Sequence, residues 1–292
     1  MGQLRKNGYT TSRLTVTTAS KRALTLLMLR PKKSREPLPG VLWIHGGGYL
    51  MGMASMVHAS RAAQVAREGL GVVISPAYRL ACRHPYPAAV TDCYNALVYL
   101  KDHASQLGVR DDQLFVGGES AGGGLAAAVC MMARDRGEVN VAFQMPLYPM
   151  IDCFDTDTSR DNHGRVWNTR RNHWGWNAYL GALAGTTDVP PYASPARQTD
   201  YAGLPPAYSF ACTGEPFLSE TQTYITNLKA AGIEACMDVY PGDVHAFDML
   251  LPWQPTSRAA AAAFMRHYRD ACDRFHAPQP AKASPQAGST QQ

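Results

Sequence analysis

The 292-residue sequence lacks paired cysteines, long apolar runs and dense clusters of one charge. Its seven cysteines are scattered and none forms a Cys-x-x-Cys pair, so the sequence favours reduced thiols over a disulfide or zinc framework. No apolar run approaches the roughly 20 residues that span a bilayer, and the segment 1–10 lacks the apolar core of a signal peptide. We therefore expect a cytoplasmic protein with no membrane span.

Charge of either sign is modest, because 28 Lys and Arg residues against 23 Asp and Glu residues give a net charge of +5. Without a dense basic block, this excess argues against a nucleic-acid partner. The composition, 46% hydrophobic and 17% charged, is that of an ordinary globular protein. Only the segment 277–292, rich in Pro, Ala, Gln and Ser, has the composition of a disordered tail.

Short apolar segments alternate with helical ones along most of the chain. Strands are predicted in SRLTVTTAS, ALTLLML, GVLWIH, GVVISPAY, QLFVGGE, PPAYSFACTG and ACMDVYPG, and helices in most of the segments that follow the third of these. This alternation predicts a mostly parallel central sheet with helices on both faces. The sequence becomes aromatic and irregular between residues 150 and 206. We therefore expect one α/β domain over residues 1–276, with 150–206 inserted as a small lid.

The segment LFVGGESAGGGLAAAV surrounds one serine with glycine and alanine. A phosphate-binding P-loop would need lysine and a hydroxyl residue where Gly123 and Gly124 stand, so this reading is disfavoured. The residues from Gly118 to Gly122 match G-x-S-x-G between a predicted strand and a predicted helix, which is the context of a nucleophile elbow. Ser120 is therefore the candidate nucleophile, on a strained turn whose flanking glycines avoid clashes with the strand and helix.

A serine hydroxyl needs a base to activate it and an acid to orient that base. His245 follows the last predicted strand on a loop, as the base should, whereas the other late histidines lie in or beyond the closing helix. For the acid, Glu215 comes directly after the preceding strand. Glu220, in the first turn of the next helix, and Asp243, two residues before the base, remain alternatives.

A glycine-rich loop follows an earlier predicted strand, where His45 precedes three consecutive glycines in WIHGGGYL. Backbone N–H groups free of side chains can stabilise a developing oxyanion, and this loop matches the HGGG motif in the expected order along the chain. The loop, the elbow, a glutamate and a histidine together indicate nucleophilic catalysis more strongly than any one of them.

At this point the chain resembles the hormone-sensitive lipase family of α/β-hydrolases, from about residue 40 to residue 247. The shared motifs are HGGGY, AYRLACRHPYPAAVTDCYNAL, GGESAGG, LYPMID, YASPAR, GLPPAYSFACTGEPFLSE and VHAF. The resemblance implies the α/β-hydrolase fold and a triad of Ser120, Glu215 and His245. It also implies oxyanion N–H groups from Gly47, Gly48 and Ala121, a loop-shaping role for His45, and no metal or cofactor.

Three features depart from the family pattern. Glutamate stands at position 215 where the family usually has aspartate, and Cys82-Arg83 replaces the usual Pro-Glu. Only about a dozen residues precede the first predicted strand, so the N-terminal cap is expected to be reduced. The lid would then consist mainly of residues 150–206.

The resulting hypothesis is a serine carboxylesterase that hydrolyses small-molecule esters with short acyl chains through an acyl-enzyme intermediate. An amidase, peptidase or deacetylase could use the same triad, and a non-catalytic ligand-binding protein could share the fold. The closing helix and its neighbouring strand are expected to form a homodimer contact, by analogy alone.

Overall fold

The protein is built on an eight-stranded sheet, in a computed structural model that describes residues 8–18, 21–33 and 36–281. The strands are β1 Tyr9–Thr17, β2 Ala23–Pro31, β3 Leu38–Ile44, β4 Val72–Pro76, β5 Val109–Glu119, β6 Phe143–Leu147, β7 Ala207–Cys212 and β8 Ala235–Tyr240. Their order across the sheet is β1-β2-β4-β3-β5-β6-β7-β8. Both pairings of β2, with β1 and with β4, are antiparallel, and all later pairings are parallel.

Helices connect the parallel strands, as parallel pairing requires. The α-helices within the described residues are α1 Arg61–Arg67, α2 Ala88–Asp102, α3 Ala121–Arg136, α4 Thr169–Leu180, α5 Leu218–Ala230, α6 Phe247–Leu250 and α7 Pro255–Arg274. Local sequence sets several of their ends. The Ser60 side chain caps α1 by accepting from the N–H of Ala62, and Gly137 ends α3 in the left-handed conformation.

The helices cover both faces of the sheet. Alternate residues of β3 point to opposite sides, so Leu42 and Ile44 pack with α2 and α3, whereas Val41 and Trp43 pack with α1 and α7. The predicted architecture, a mostly parallel sheet with helices on both faces, is confirmed. Within the described residues, no helix is both long enough and apolar enough to cross a membrane.

Two elements differ from the expectations drawn from sequence. Strand β6 was not among the predicted strands, and helix α4 lies inside the segment 150–206, which was expected to be irregular. Gln144 and Pro146 interrupt the apolar pattern of β6, and both are buried in the sheet. The side chain of Gln144 is satisfied there by Pro205 O and the hydroxyl of Tyr224.

The end of the chain returns to the sheet. The Gln279 side chain bonds to Asn140 and to Asp111 O, and the N–H of Ala277 donates to Asp112 O. The remainder of the predicted disordered tail, from residue 282 onward, lies outside the described residues.

The carboxyl ends of the parallel strands meet along one edge of the sheet, which is where α/β folds place their ligand sites. The loops that begin at His45, Ser120, Thr213 and Pro241 all start from this edge, after β3, β5, β7 and β8.

Candidate active site

Ser120 occupies a sharp turn between β5 and α3. Its φ of 57° and ψ of −124° lie in a region that residues other than glycine rarely adopt. Its N–H donates to Leu147 O at 3.0 Å, which fixes the turn against β6. A Cβ at Gly118 would lie 2.5 Å from Gly122 O, and a Cβ at Gly122 would overlap Ile44 O, so both flanking positions require glycine. Backbone strain of this kind is concentrated at functional sites.

The structure brings Ser120, His245 and Glu215 into one hydrogen-bonded line. The Ser120 Oγ lies 2.9 Å from Nε2 of His245, and Nδ1 of the same ring lies 2.6 Å from Oε1 of Glu215. The hydroxyl donates to Nε2 when Nδ1–H donates to the carboxylate. Glu215 is fully buried, and only 5% of Ser120 and of His245 is exposed.

The two alternative acids are held elsewhere. Glu220 accepts the N–H groups of Ile151 and Asp152 at 2.7 and 3.1 Å, and thereby fixes the loop after β6. Burial raises the pKa of its carboxyl well above the ordinary value. Asp243 is exposed in the loop before His245. Of the three carboxylates predicted as candidates, Glu215 is the one that contacts the imidazole.

The glycine loop after β3 runs beside the serine, because a Cβ on Gly46 would lie only 3.2 Å from Ser120 Cβ. Gly47 and Gly48 have φ values of 121° and 60°. A side chain at Gly48 would overlap the ring of Trp167. Throughout the described part of the chain, no acceptor pairs with the N–H of Gly47 or of Gly48. Ala121 is the first residue of α3, so its N–H has no partner within the helix.

His45 does not act on the serine from this loop. It is buried, its Nδ1 bonds to Gly46 O at 2.8 Å, and its ring stacks on Tyr78 at 4.3 Å. Burial lowers its pKa to about 4, so the ring is neutral at physiological pH. These contacts fix the shape of the glycine loop.

Aromatic side chains enclose the imidazole of His245. The rings of Tyr148 and Phe217 each meet it edge to face with centroids 5.3 Å apart. Trp167, from the segment between β6 and β7, lies 6.5 Å from it and also contacts Gly48. The site is therefore shielded from water on several sides, which strengthens its hydrogen bonds.

Potential metal ligands are dispersed. Over residues 8–18, 21–33 and 36–281, no three His, Cys, Asp or Glu side chains are arranged to hold a metal ion. The seven cysteines are free thiols in separate elements. The groups that meet at this edge of the sheet include the serine, the imidazole, the carboxylate and the backbone amides.

A family model described as alpha/beta hydrolase fold matches residues 41–249. Carboxylesterase NlhH of Mycobacterium tuberculosis is 30% identical over 222 residues, which are 74% of this chain and 69% of that enzyme. The chain therefore belongs to the α/β-hydrolase fold family.

Further relatives of this α/β-hydrolase are named as ester hydrolases. Ethyl acetate hydrolase of Pseudomonas putida is 28% identical over 241 residues, 81% of this chain and 75% of that enzyme. The solved structure named bacterial heroin esterase is 33% identical, with a TM-score of 0.88 over 93% of this chain and 87% of the other. The resemblance to the hormone-sensitive lipase family is confirmed.

Two buried acids in this α/β-hydrolase, Glu119 and Asp248, were not predicted from the sequence. Glu119, next to the serine, accepts a hydrogen bond of 2.7 Å from Nε1 of Trp43, and burial raises the pKa of its carboxyl to about 8. Asp248 is also fully buried and accepts from the hydroxyl of Tyr148 at 2.8 Å. The sequence contained a signal for both acids, because each stands among apolar or small residues beside a motif already selected. Glu119 lies in the elbow motif, and Asp248 directly follows HAF.

Proposed function

We propose that this protein is a serine carboxylesterase in which Ser120, His245 and Glu215 form the catalytic triad. The observation that carries the proposal is the line of two hydrogen bonds, 2.9 and 2.6 Å, through the imidazole of His245. Relatives named carboxylesterase and ethyl acetate hydrolase support an ester as the substrate.

Ser120 Oγ attacks the ester carbonyl while Nε2 of His245 takes its proton. The imidazolium then returns this proton to the leaving alcohol, and the acyl group stays on the serine. Glu215 holds the ring through Nδ1–H and balances its positive charge. A water molecule, deprotonated by His245, attacks the acyl-enzyme in the second half-reaction and releases the acid.

The oxyanion of each tetrahedral intermediate is stabilised by backbone N–H groups of Gly47, Gly48 and Ala121. Two of these have no acceptor in the described part of the protein, and the third is at the N-terminus of α3, where the helix dipole favours negative charge. Because these donors are fixed before the substrate arrives, no reorganisation is needed as charge develops.

We further propose that the substrates are small-molecule esters with short acyl chains. Trp167 supports this preference because its ring touches Gly48 and lies beside His245, so it limits the space around the reacting carbonyl. Ethyl acetate, in the name of one relative, is an acetyl ester. The segment 150–206 would then act as a lid on a single hydrolase domain.

The decisive experiment replaces Ser120 with alanine and measures hydrolysis of p-nitrophenyl acetate and butyrate. Turnover is expected to fall by about 10⁴-fold or more, because the nucleophile is lost. The matched control is Ser209→Ala, at a fully buried serine in strand β7. Wild-type rates from the Ser120→Ala protein would refute the assignment. A p-nitroanilide of the same acyl group, run beside the esters, separates esterase from amidase activity.

A further inference from the structure

The two hydrogen bonds of His245 do not explain what prevents its imidazole ring from tilting out of its plane. Its two ring nitrogens bond to Ser120 and Glu215 in the plane of the ring, and these bonds do not by themselves resist tilting of that plane. The ring packs edge to face against Tyr148, directly after β6, and Phe217, directly before α5, at interplanar angles of 79° and 87°. Out-of-plane restraint therefore comes from aromatic neighbours.

Tyr148 is fixed by more contacts than a residue that only lines the site would need. It is fully buried, and its φ of 32° is positive, which is costly for a residue with a large side chain. Its N–H donates to Phe210 O at 3.0 Å, and its ring packs on that of Phe210. Its hydroxyl donates to Oδ1 of Asp248 at 2.8 Å. The backbone, ring and hydroxyl are all fixed.

Asp248 in turn connects this tyrosine to the segment that carries the histidine. It lies three residues after His245, in α6. Its Oδ2 lies 3.1 Å from Nε of Arg61, and the same guanidinium donates to its backbone oxygen at 3.2 Å. Burial raises the pKa of the Asp248 carboxyl, while Arg61 and the Tyr148 hydroxyl oppose that shift. The Asp248 charge also helps to raise the pKa of the neighbouring Glu119 carboxyl.

A buried ion pair contributes little net stability, because desolvation of both charges offsets their attraction. The Arg61–Asp248 pair is almost wholly buried, with side-chain exposures of 11% and 0%. It joins α1 to α6, and Asp248 also accepts the hydrogen bond from Tyr148. The location of this ion pair is therefore better explained by its orienting Asp248, and through it Tyr148, than by a contribution to the stability of the fold.

We propose that Tyr148 is a positioning residue for His245. The tyrosine ring keeps the imidazole aligned between Ser120 and Glu215. The hydrogen bond from the tyrosine hydroxyl to Asp248 fixes the position of the tyrosine ring. The inference rests on the proposed ester hydrolysis, in which the imidazole must receive and return a proton without leaving the line between Ser120 and Glu215. Loss of the hydroxyl would let both rings tilt and lower the rate of proton transfer, with little effect on substrate binding.

The test is Tyr148→Phe, which keeps the ring and removes the tether to Asp248. Its matched control is Tyr208→Phe, because Tyr208 is also buried and donates to a carboxylate, Asp238, at 2.9 Å, but on β7 away from the imidazole. Active sites are titrated with a fluorophosphonate, so that kcat is expressed per reactive serine and misfolded protein does not count. Thermal midpoints are recorded for both variants.

For Tyr148→Phe, kcat per titrated site is expected to fall about 5- to 20-fold with KM within about twofold of wild type. For Tyr208→Phe both constants should stay near wild type, even if the thermal midpoint falls as much.

Wild-type kcat per titrated site in Tyr148→Phe would overturn the inference, as would an equal loss in Tyr208→Phe. Absence of both turnover and serine labelling in the wild-type protein would refute the proposed function itself, so the two failures are distinguishable.

Discussion

At the residue scale, the proposed chemistry depends on how Glu215 meets His245. The glutamate side chain is one methylene longer than the aspartate that the family resemblance leads one to expect, yet its Oε1 lies 2.6 Å from the ring nitrogen. The carboxyl is fully buried, and its Oε2 has no hydrogen-bond partner in the described part of the chain. The charge is thus stabilised mainly by the imidazole, and most strongly when the imidazole is protonated.

The contact between Glu215 and His245 predicts the effects of two substitutions at position 215. Glu215→Gln should lower kcat by about 10³- to 10⁴-fold, because a neutral amide neither balances the imidazolium nor enforces the correct tautomer. Glu215→Asp keeps the charge but withdraws the carboxylate from the ring, so the expected loss is smaller, about 10- to 100-fold. Steady-state kinetics on p-nitrophenyl acetate measures both.

The control for these variants is Glu220→Gln, since the hydrogen bonds of Glu220 within the described residues come from backbone N–H groups after β6. Per titrated site its kcat should be close to wild type. An effect as large as that of Glu215→Gln would mean that the acid had been assigned to the wrong residue.

Glu119 supports a prediction about stability. Its pKa of about 8 in the folded protein lies above the ordinary value of 4.5, because burial disfavours the charged form. Between these two pH values the unfolded chain releases a proton that the folded protein retains. This group therefore makes the folded state less stable as pH rises, by about 1.4 kcal/mol per pH unit.

Glu119→Gln should remove that dependence while keeping an acceptor for Trp43. Urea unfolding at pH 5.5 and 7.5 measures the difference in unfolding free energy between variant and wild type. The variant should gain stability relative to wild type at the higher pH. Glu138→Gln, at an exposed glutamate, provides the comparison. A difference that does not change with pH would contradict the assignment of a raised pKa to Glu119.

The three residues of the proposed triad could be selected from the sequence, because each stands in or next to a recognisable local pattern. Ser120 lies in a pentapeptide motif, and Glu215 and His245 directly follow predicted strands. Tyr148 and Arg61 could not, because their roles depend on contacts with Asp248 across 100 and 187 residues of chain. No local pattern records that proximity.

At the scale of elements, the region after β5 was the hardest to predict. Strand β6 contains a glutamine and a proline, and both weaken the apolar pattern expected of a buried strand. Helix α4 is rich in Arg, Asn and His, but Asn168 caps it by accepting from the N–H of Arg171. Its buried face, which includes Trp176 and Tyr179, packs on Tyr49 of the glycine loop.

The segment before α4 supports a prediction about substrate range. Trp167→Ala should open space beside Gly48 and His245, where the tryptophan ring now lies. The ratio of kcat/KM for p-nitrophenyl octanoate to that for acetate should rise about tenfold, as expected when a few methylenes gain room in an apolar pocket. An acyl-length series from acetate to decanoate measures the change.

Trp174→Ala is the matched control, because Trp174 belongs to the same region but is 69% exposed on the outer face of α4. Its acyl preference should equal that of the wild type. If Trp167→Ala also leaves the acyl-length preference unchanged, the length of the acyl chain is limited by a side chain other than Trp167.

At the scale of the whole molecule, the parallel sheet explains why distant residues converge. Ser120, Glu215 and His245 follow β5, β7 and β8, whose carboxyl ends share one edge. The alternation of strands and helices was enough to predict this arrangement, because parallel strands require helical crossovers. The homodimer and the cytoplasmic location stay predictions.

The most direct test of the central claim is peptide mass spectrometry after reaction with a fluorophosphonate. The account predicts one adduct per chain, on Ser120, and its loss when His245 is replaced by alanine. An adduct on another residue, or ester hydrolysis that continues while Ser120 remains unmodified, would contradict it.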